Sequence, residues 1–315
     1  MPGTGRQFPP FVAPMLATPA RQLPADAGQW TAEVKWDGTR AIVAVAGGQV
    51  RIWSRSGRDV TAAYPELAVL GTAAGHRTLI LDAEIVALSG ARPDFTRLQR
   101  RMLAGRPSAR LVSAVPITII VFDLLRIGAR SLLDNPHAQR RALLDDLGLQ
   151  VPGTVQVPPA FPGDAAALLR ASRDQGYEGI VLKRPGSYYV PGRRAASWLK
   201  IRNIQAADVL VGGWLPGAGR RARLPGSLLV GLPGQAGLEY AGSVGTGFTE
   251  AALRELASLL ADLEQPGSPF NGPLPSSVAR HARWVRPALA AEVGYLERTP
   301  SGRLRQPVWR GLRSS

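Results

Sequence analysis

Cysteine is missing from this chain of 315 residues, and histidine is scarce. The lack of cysteine excludes a disulfide framework, a thiolate metal site and a cysteine nucleophile. The three histidines, His76, His137 and His281, are scattered, so a histidine-rich metal site is not expected. No apolar run reaches the roughly 18 residues that a membrane-spanning helix needs, and the first residues lack the apolar core of a signal peptide. We therefore expect a cytoplasmic protein.

Lysine is almost absent as well, although the chain is strongly basic. Of 38 basic residues only Lys35, Lys183 and Lys200 are lysine, and the rest are arginine. Arginine stays protonated and cannot act as an amine nucleophile, whereas lysine can lose its proton. The three retained lysines are therefore expected where the chemistry of an ammonium group matters.

The net charge of +15 and the pI near 11.3 indicate a polyanionic partner. Nucleic acid fits best, because phosphate neutralisation supplies affinity that does not depend on sequence. A membrane surface is a weaker alternative, since no basic amphipathic helix stands out, and an arginine-rich composition without a nucleic-acid role also stays open. Residues 1–203 carry 26 basic and 15 acidic residues, and residues 204–315 carry 12 and 8, so one extended anion could lie across both parts.

The pattern along the chain indicates an α+β protein of two domains, 1–203 and 204–315. Residues 1 to about 28 are proline-rich and are expected to be irregular, and short β-rich runs then alternate with helical patterns as far as Asn203. Beyond that point short glycine-rich strands are expected at Asp208–Trp214, Gly226–Gly231 and Leu238–Val244. One helix, Glu250–Ala261, follows, and then further separate strands at Arg283–Arg286 and Ala290–Glu297. Thr249 is the expected N-cap of the helix. This composition suits a small OB-type barrel.

The first candidate catalytic group is Lys35, in Glu33-Val-Lys-Trp-Asp-Gly-Thr-Arg40. It ends a predicted strand and precedes an Asp-Gly turn that would hold its amine at the mouth of a pocket. Arg40 is close enough to repel the positive charge of the amine or to hold a phosphate. A lysine nucleophile beside cations and a divalent metal suits attack on phosphorus, which gives a phosphoramidate.

Carboxylates recur on other predicted strands. Asp82 and Glu84 share one face of a strand in Leu81-Asp-Ala-Glu84, and Glu178 precedes Gly179 at the start of another strand. With no histidine or cysteine nearby, these groups predict hard oxygen ligation of Mg²⁺ or Mn²⁺ through Glu84 and Glu178. Surface charge on an edge strand is the alternative for each of them.

Aromatic and basic residues complete the candidate site. Phe122, which ends the most apolar strand, could stack on a base or belong to the core. Arg55, at a strand-to-turn junction, suits a phosphate or sugar contact, or is a solvated turn residue. Lys200 and Arg202 share one strand face with Trp198, which suits a phosphate, although a solvated face is also common.

In this order, six motifs resemble those of the covalent nucleotidyltransferase superfamily, and within it the ATP-dependent DNA ligases. The nearest resemblance is to the small bacterial ligases and the ligase module of bacterial end-joining proteins, and it runs from about Pro14 to Leu312. It implies a nucleotidyltransferase (adenylation) domain of antiparallel sheets flanked by helices, followed by an OB-fold β-barrel domain. Gly242–Phe248 and Leu304–Arg313 look like parts of the ligase OB domain.

The resemblance implies roles for the residues that bind the nucleotide. Lys35 would be the nucleophile that takes AMP from ATP, Glu33 would recognise the adenine amino group, and Phe122 would stack on adenine. Arg40 and Arg55 match ribose and phosphate contacts, and Arg55 would also reach the 5′-phosphate of a nick.

The remaining matches concern the metal and the phosphates. Glu84 matches a ribose-binding or metal-binding acid, and Glu178 matches a second metal-associated acid. Lys200 matches a lysine on the α-phosphate, and Arg202 stands where a second lysine is common. Lys183 belongs to the strand that follows Glu178, and its role is open. The implied cofactors are ATP and Mg²⁺ or Mn²⁺.

The implied substrate is nicked double-stranded DNA, and the implied partners are end-joining or repair proteins. The protein is expected to be a monomer, to bind no membrane, and to act at the nucleoid in the bacterial cytoplasm.

The family usually continues past its final arginine with an acid and a lysine that orient pyrophosphate, and this sequence ends at Arg313-Ser-Ser. Arg313, Arg310 or another basic residue would then take that role. No helical DNA-binding domain is expected ahead of residue 31, so the two basic domains would grip the nick. Candidate phosphate contacts, or solvated loop charges, are Arg193, Arg194, Arg220, Arg221 and Arg223.

Three functions follow as hypotheses. The first is an ATP-dependent DNA ligase that seals nicks in repair. The second is an RNA ligase or a capping-type guanylyltransferase on the same scaffold, which nucleotide choice would separate from the first. The third is a non-catalytic DNA-end-binding module, which a comparison of nick sealing by the wild type and Lys35→Ala would separate from both.

Overall fold

The structure is a computed structural model that describes residues 8–219, 222, 224–235, 237–299 and 301–313. The chain divides into two compact units, one ending at Asn203 and the other beginning at Ile204. Both contain β-sheets and helices, which confirms the α+β class.

The first unit contains twelve strands and five α-helices in its described part. The strands are β1 (Leu16–Ala20), β2 (Thr31–Val34), β3 (Thr39–Ala46), β4 (Gln49–Ser54), β5 (Leu79–Ser89), β6 (Arg92–Pro93), β7 (Ile117–Ile127), β8 (Arg130–Ser131), β9 (Val155–Gln156), β10 (Phe161–Pro162), β11 (Gly179–Lys183) and β12 (Arg194–Arg202). The helices are α1 (Val69–Ala73), α2 (Phe95–Ala104), α3 (Ala109–Ala114), α4 (His137–Asp146) and α5 (Ala165–Asp174), with 3₁₀ turns at Ala27–Gln29, Thr61–Ala63 and Pro65–Ala68.

Two sheets organise this unit. The small sheet has the order β1-β12-β11-β2-β10. The large sheet has the order β4-β3-β5-β7-β8, with β6 beside β5 and β9 beside β7. Met15, Ile42, Ile80, Leu125 and Trp198 form a buried cluster that joins the two sheets. The sheets therefore face each other across a shared apolar contact.

Alternation along β5 decides what the large sheet offers to the small one. Leu79, Leu81, Ala83, Ile85 and Ala87 point into the main core of this unit. The intervening residues therefore point to the opposite face, towards the small sheet. Asp82 and Glu84 are among them, so the expected sharing of one strand face by these two acids agrees with the structure.

The expectation that residues 1 to about 28 are irregular was wrong for β1. This strand pairs in parallel with β12, placing Pro19 opposite Lys200. Proline suppressed the strand signal because it cannot donate a ladder hydrogen bond. β1 lies at the edge of the small sheet, where a missing donor is tolerated.

The second unit contains one seven-stranded sheet in its described residues, ordered β16-β18-β13-β14-β15-β17, with β19 beside β18. Its strands are β13 (Gln205–Pro216), β14 (Pro225–Gly234), β15 (Gly237–Val244), β16 (Glu264–Gln265), β17 (Phe270–Asn271), β18 (Arg283–Tyr295) and β19 (Val308–Leu312), and its helices are α6 (Glu250–Ala261) and α7 (Ser276–Ala279). The Thr249 hydroxyl accepts a hydrogen bond from the Ala252 N–H at 3.1 Å, which confirms the N-cap.

One strand prediction in this unit needs correction. Arg283–Arg286 and Ala290–Glu297 were expected as separate strands, but they form the single strand β18. Pro287 lies between them, at a break in the register with β13 where Val211 faces Leu289 and Gly213 faces Trp284. Proline sits there without losing a ladder hydrogen bond, so the strand continues through it.

Candidate active site

A cavity of about 380 Å³ lies where the small and large sheets face each other. Residues of β2, β11 and β12 line one side, and residues of β3, β5 and β7 line the other. Ten of the residues selected from the sequence line it: Glu33, Lys35, Arg40, Arg55, Glu84, Phe122, Lys183, Arg194, Lys200 and Arg202. The fold thus brings together side chains that are far apart in the sequence.

Lys35 follows the end of β2, and its backbone N–H donates to the Gly179 carbonyl at 2.9 Å. Its ammonium forms an ion pair with Glu178, whose side chain is almost buried. In the turn after Lys35, position 38 has room only for glycine, because a Cβ on Gly38 would lie 2.2 Å from the Ile85 carbonyl oxygen. Close packing of this turn on β5 therefore sets the position of the amine.

Cations surround Glu178. The Arg202 guanidinium lies 2.9 Å from its Oε1, and Lys35 contacts its Oε2. The pKa of Lys200 is lowered, first by burial and then by the positive charges of Arg202, Lys35 and Arg194. This concentration of positive charge around one carboxylate is suited to a phosphate chain.

Glu84 lines the cavity and accepts no hydrogen bond from any residue in the described ranges. Burial raises its pKa to about 7; the carboxylates of Glu178 and Asp82 add to that effect, and Arg40 and Lys35 oppose it. A half-buried carboxylate without a partner can accept a cation. Glu84 and Glu178 supply two hard oxygen donors, and Mg²⁺ is commonly held by one or two carboxylates together with substrate phosphates. These two residues therefore fit a divalent metal.

Arg40 is anchored within the protein. Its guanidinium donates to both carboxylate oxygens of Asp82, with Nη2 at 2.7 Å from Oδ2, and to the Met15 carbonyl at 3.2 Å. Asp82, which is fully buried, also accepts from the Tyr189 hydroxyl at 2.6 Å. The sequence led us to expect that Arg40 repels the Lys35 amine. In the structure each of these cations is instead paired with a carboxylate, Lys35 with Glu178 and Arg40 with Asp82.

The deep end of the cavity is formed by Glu33, Lys183 and Phe122. Lys183 Nζ lies 2.7 Å from Glu33 Oε2 and donates to the Phe122 carbonyl at 3.2 Å. It also lies 4.8 Å from the centre of the Phe122 ring. Burial alone would raise the pKa of Glu33, but Lys183 and His137 outweigh it and lower that pKa to about 2. Glu33 is therefore ionised at neutral pH.

Two residues near this site were not found from the sequence. His137 opens α4 and faces Glu33, and Tyr189 links Asp82 to the Met15 N–H, which donates to its hydroxyl at 2.9 Å. A scattered histidine and a tyrosine in a loop carry no motif. Only the folded arrangement assigns them to the site.

The other basic candidates occupy three settings. Arg55 is exposed at the cavity, and Arg194 lines it and donates to the Ala17 carbonyl. Arg193 is exposed beside Arg194. Arg313 belongs to the second unit, where its guanidinium pairs with Asp208 at 2.8 Å and Glu292 at 2.9 Å, and Arg310 pairs with Glu292 at 2.8 Å. Arg220, Arg221 and Arg223 lie outside the described residues.

A larger cavity of about 720 Å³ lies on the other side of the Lys35 segment. Val34 and Trp36 line both cavities. Among the described residues that line the larger one, Asp164 is the only charged side chain. The smaller cavity is lined by Lys35, Glu33, Glu84 and the basic side chains, with Glu178 in contact with Lys35, and it is therefore the candidate active site.

Comparison with known proteins gives concordant matches. Residues 14–202 match the model of the ATP dependent DNA ligase domain, and residues 221–315 match that of the ATP dependent DNA ligase C terminal region. The multifunctional non-homologous end joining DNA repair protein LigD of Mycobacterium tuberculosis is 45% identical over 303 residues, covering 96% of this chain and 38% of that protein. The LigD of Pseudomonas aeruginosa is 34% identical over 97% of this chain and 36% of its own length.

Solved structures agree with these sequence matches. The crystal structure of the ligase domain from M. tuberculosis LigD is 43% identical, covers 96% of this chain and 95% of that domain, and has a TM-score of 0.57. A mycobacterial DNA ligase D complexed with ATP and MES gives the same values. This chain spans less than two fifths of the length of the LigD proteins it matches. In the described residues no helix is long and apolar enough to cross a membrane.

Proposed function

The chain belongs to the ATP-dependent DNA ligases, and from that membership we propose that it seals 3′-hydroxyl/5′-phosphate nicks in duplex DNA through a lysine–AMP intermediate. Its first unit is the nucleotidyltransferase domain, and its second is the OB-fold domain. One observation carries the proposal: Lys35 lies in a cavity lined by cations, beside two carboxylates suited to a divalent metal.

In the first step the Lys35 amine attacks the α-phosphorus of ATP. A nitrogen–phosphorus bond forms, the bond from the α-phosphorus to the bridging oxygen breaks, and pyrophosphate leaves. The ammonium must lose a proton before it attacks, and Glu178 Oε2 is the carboxylate in contact with it. Lys200 and Arg202 flank the same carboxylate and would hold the negative charge that builds up on the phosphate oxygens.

Glu84 and Glu178 would hold Mg²⁺ or Mn²⁺ in this reaction. A divalent ion there supplies charge neutralisation for the triphosphate and withdraws electron density from the phosphorus. Glu84 is prepared for this role because its carboxylate accepts no hydrogen bond from the described residues.

The base and the DNA would occupy opposite ends of the cavity. Glu33 and Phe122 at the deep end would bind adenine, and Arg40, held by Asp82, would contact the ribose or phosphate from a fixed position. Exposed Arg55 would reach the 5′-phosphate of the nick. An oxygen of that phosphate then attacks the phosphorus of the lysine-bound AMP, the nitrogen–phosphorus bond breaks, and Lys35 leaves as the free amine. The 3′-hydroxyl next attacks the 5′-phosphorus, which forms the phosphodiester and releases AMP.

The relatives are end-joining proteins, so we propose that the nicks arise in bacterial DNA repair, with end-joining proteins as partners. The protein would then act on the chromosome in the bacterial cytoplasm. Arg193 and Arg194 are the described residues that we propose as additional phosphate contacts.

The test uses α-³²P-labelled ATP with Mg²⁺ or Mn²⁺, followed by a nicked duplex. We expect the wild type to retain the label covalently and to seal the nick. Lys35→Arg preserves the positive charge beside Glu178 but cannot form the lysine adduct, so it is the matched control and should retain no label. Labelling by GTP but not ATP, or sealing by Lys35→Arg, would overturn the proposal.

A further inference from the structure

His137 lies against the base-binding end of the cavity but outside every motif. Its side chain is 1% exposed, and its Nε2 lies 3.5 Å from Glu33 Oε1. Its ring also meets the Trp198 ring edge-on, with 6.4 Å between centroids. Packing of α4 and β12 thus fixes this imidazole beside the carboxylate that would read the base.

The contact between His137 and Glu33 leaves hydrogen-bonding capacity unused. At 3.5 Å the pair is too long for a good hydrogen bond. Glu33 Oε1 and both ring nitrogens of His137 are buried and have no hydrogen-bond partner among the described residues. Buried polar atoms are nearly always paired, so an unpaired one in a native structure calls for a reason, such as a functional role. Of these atoms, Glu33 Oε1 belongs to a residue that lines the cavity, where a bound ligand would meet it.

The other oxygen of Glu33 is fully committed. Lys183, 1% exposed, holds Glu33 Oε2 at 2.7 Å and reaches the Phe122 carbonyl with the same ammonium. Lys183 therefore connects the two residues proposed to bind adenine. Its own position is confined by the Trp198 ring, whose centre is 4.5 Å from Nζ.

We propose that His137 and Lys183 are positioning residues that orient the Glu33 carboxylate, so that Oε1 accepts a hydrogen bond from the 6-amino group of the purine. The inference rests on the proposed function and extends it to the selection of the nucleotide. An ionised carboxylate can only accept hydrogen bonds. It therefore favours a base that presents an amino group at that edge and rejects one that presents a carbonyl oxygen.

The arrangement also accounts for a lysine at position 183. The ammonium fits between two rings and directs donors to a carboxylate and a carbonyl. A planar guanidinium is larger and presents its donors in a fixed fork, which does not match these two acceptors.

The experiment compares ATP with purine riboside triphosphate, which lacks the 6-amino group, as donors for formation of the covalent lysine–nucleoside monophosphate adduct. In the wild type, removal of the amino group should lower kcat/KM by about tenfold or more, since it leaves a buried carboxylate oxygen unpaired. In His137→Ala, kcat/KM for ATP should fall by about tenfold, mainly through KM, while the value for purine riboside triphosphate should change little. The preference for ATP should therefore shrink.

Two variants complete the design. His137→Gln keeps a polar side chain packed beside Glu33 Oε1 and should restore most of the preference, whereas exposed His76→Ala should behave as wild type. A general folding defect would lower both substrates equally, and that result would overturn the positioning role. A wild type that forms the adduct but uses both nucleotides equally would refute base reading by Glu33. Absence of adduct in the wild type would instead contradict the proposed function.

Discussion

The half-buried, ionised carboxylate of Glu84 is expected to lower the stability of the folded protein at neutral and alkaline pH. The variant Glu84→Gln, which cannot ionise, tests this directly. The pKa of Glu84 is raised from 4.5 to about 7, chiefly by burial. The folded state therefore keeps a proton on Glu84 up to about pH 7, while the unfolded chain releases it near pH 4.5. As the pH rises between these values the wild type loses stability, and above pH 7 the loss is complete.

The size of the effect follows from the two pKa values. Their difference corresponds to about 3 kcal/mol at full burial. Because Glu84 is half-buried beside solvent in the cavity, we expect about 1–2 kcal/mol. Glutamine cannot ionise, so the variant should be more stable than the wild type by that amount at pH 8 and nearly equal to it at pH 5. For a unit of this size the melting temperature should rise by about 3–6 °C.

Thermal unfolding at pH 5 and pH 8 measures this difference, and the exposed Asp174→Asn is the matched control in the same unit. Mn²⁺ at pH 8 should stabilise the wild type more than Glu84→Gln, and adduct formation by the variant should be strongly reduced. Equal melting temperatures at pH 8, or the same difference at both pH values, would show that Glu84 is not strained by its burial.

Three further predictions concern single side chains. Gly38→Ala should destabilise the first unit by about 3 kcal/mol or more in urea unfolding, because its Cβ would overlap the Ile85 carbonyl oxygen; a cost below about 1 kcal/mol would contradict this packing. Lys183→Arg should impair nick sealing, with the fall seen in adduct formation rather than in later steps because the larger group displaces Glu33, and near-wild-type sealing would refute that role. Thr249→Ala should lower the stability of the second unit by about 1 kcal/mol through loss of the N-cap, whereas Thr249→Ser should be close to wild type.

Much of the candidate site was predictable because its chemistry is local in sequence. The lysine turn, the acid in β5 and the alternating cations of β12 each have a spacing that fixes which strand face they share. The motifs left three functions open, and the family matches support the first of them, a DNA ligase, rather than an RNA ligase or a capping enzyme.

What the sequence could not provide was the choice of partner for each charge. Arg40 lies five residues from Lys35 but pairs with Asp82, and Lys35 pairs with Glu178, 143 residues away. These pairings depend on how the two sheets face each other, and no periodicity encodes that. His137 was set aside as a scattered histidine for the same reason. The edge strand β1 was not predicted because it contains proline, which is rare in strands and therefore lowers the strand propensity of the segment.

The β1 strand has a practical consequence for anyone who shortens this module. It lies beside β12, the strand that carries Lys200 and Arg202, and the residue just before it, Met15, is hydrogen-bonded to both Arg40 and Tyr189. A shortened protein that began at Thr31, where the first strand predicted from the sequence starts, would keep every motif residue. It would, however, leave one edge of β12 unpaired and remove the backbone carbonyl that accepts a hydrogen bond from Arg40. We therefore expect that a functional unit has to include Met15 and β1, because these residues hold Arg40 and one edge of β12 in place.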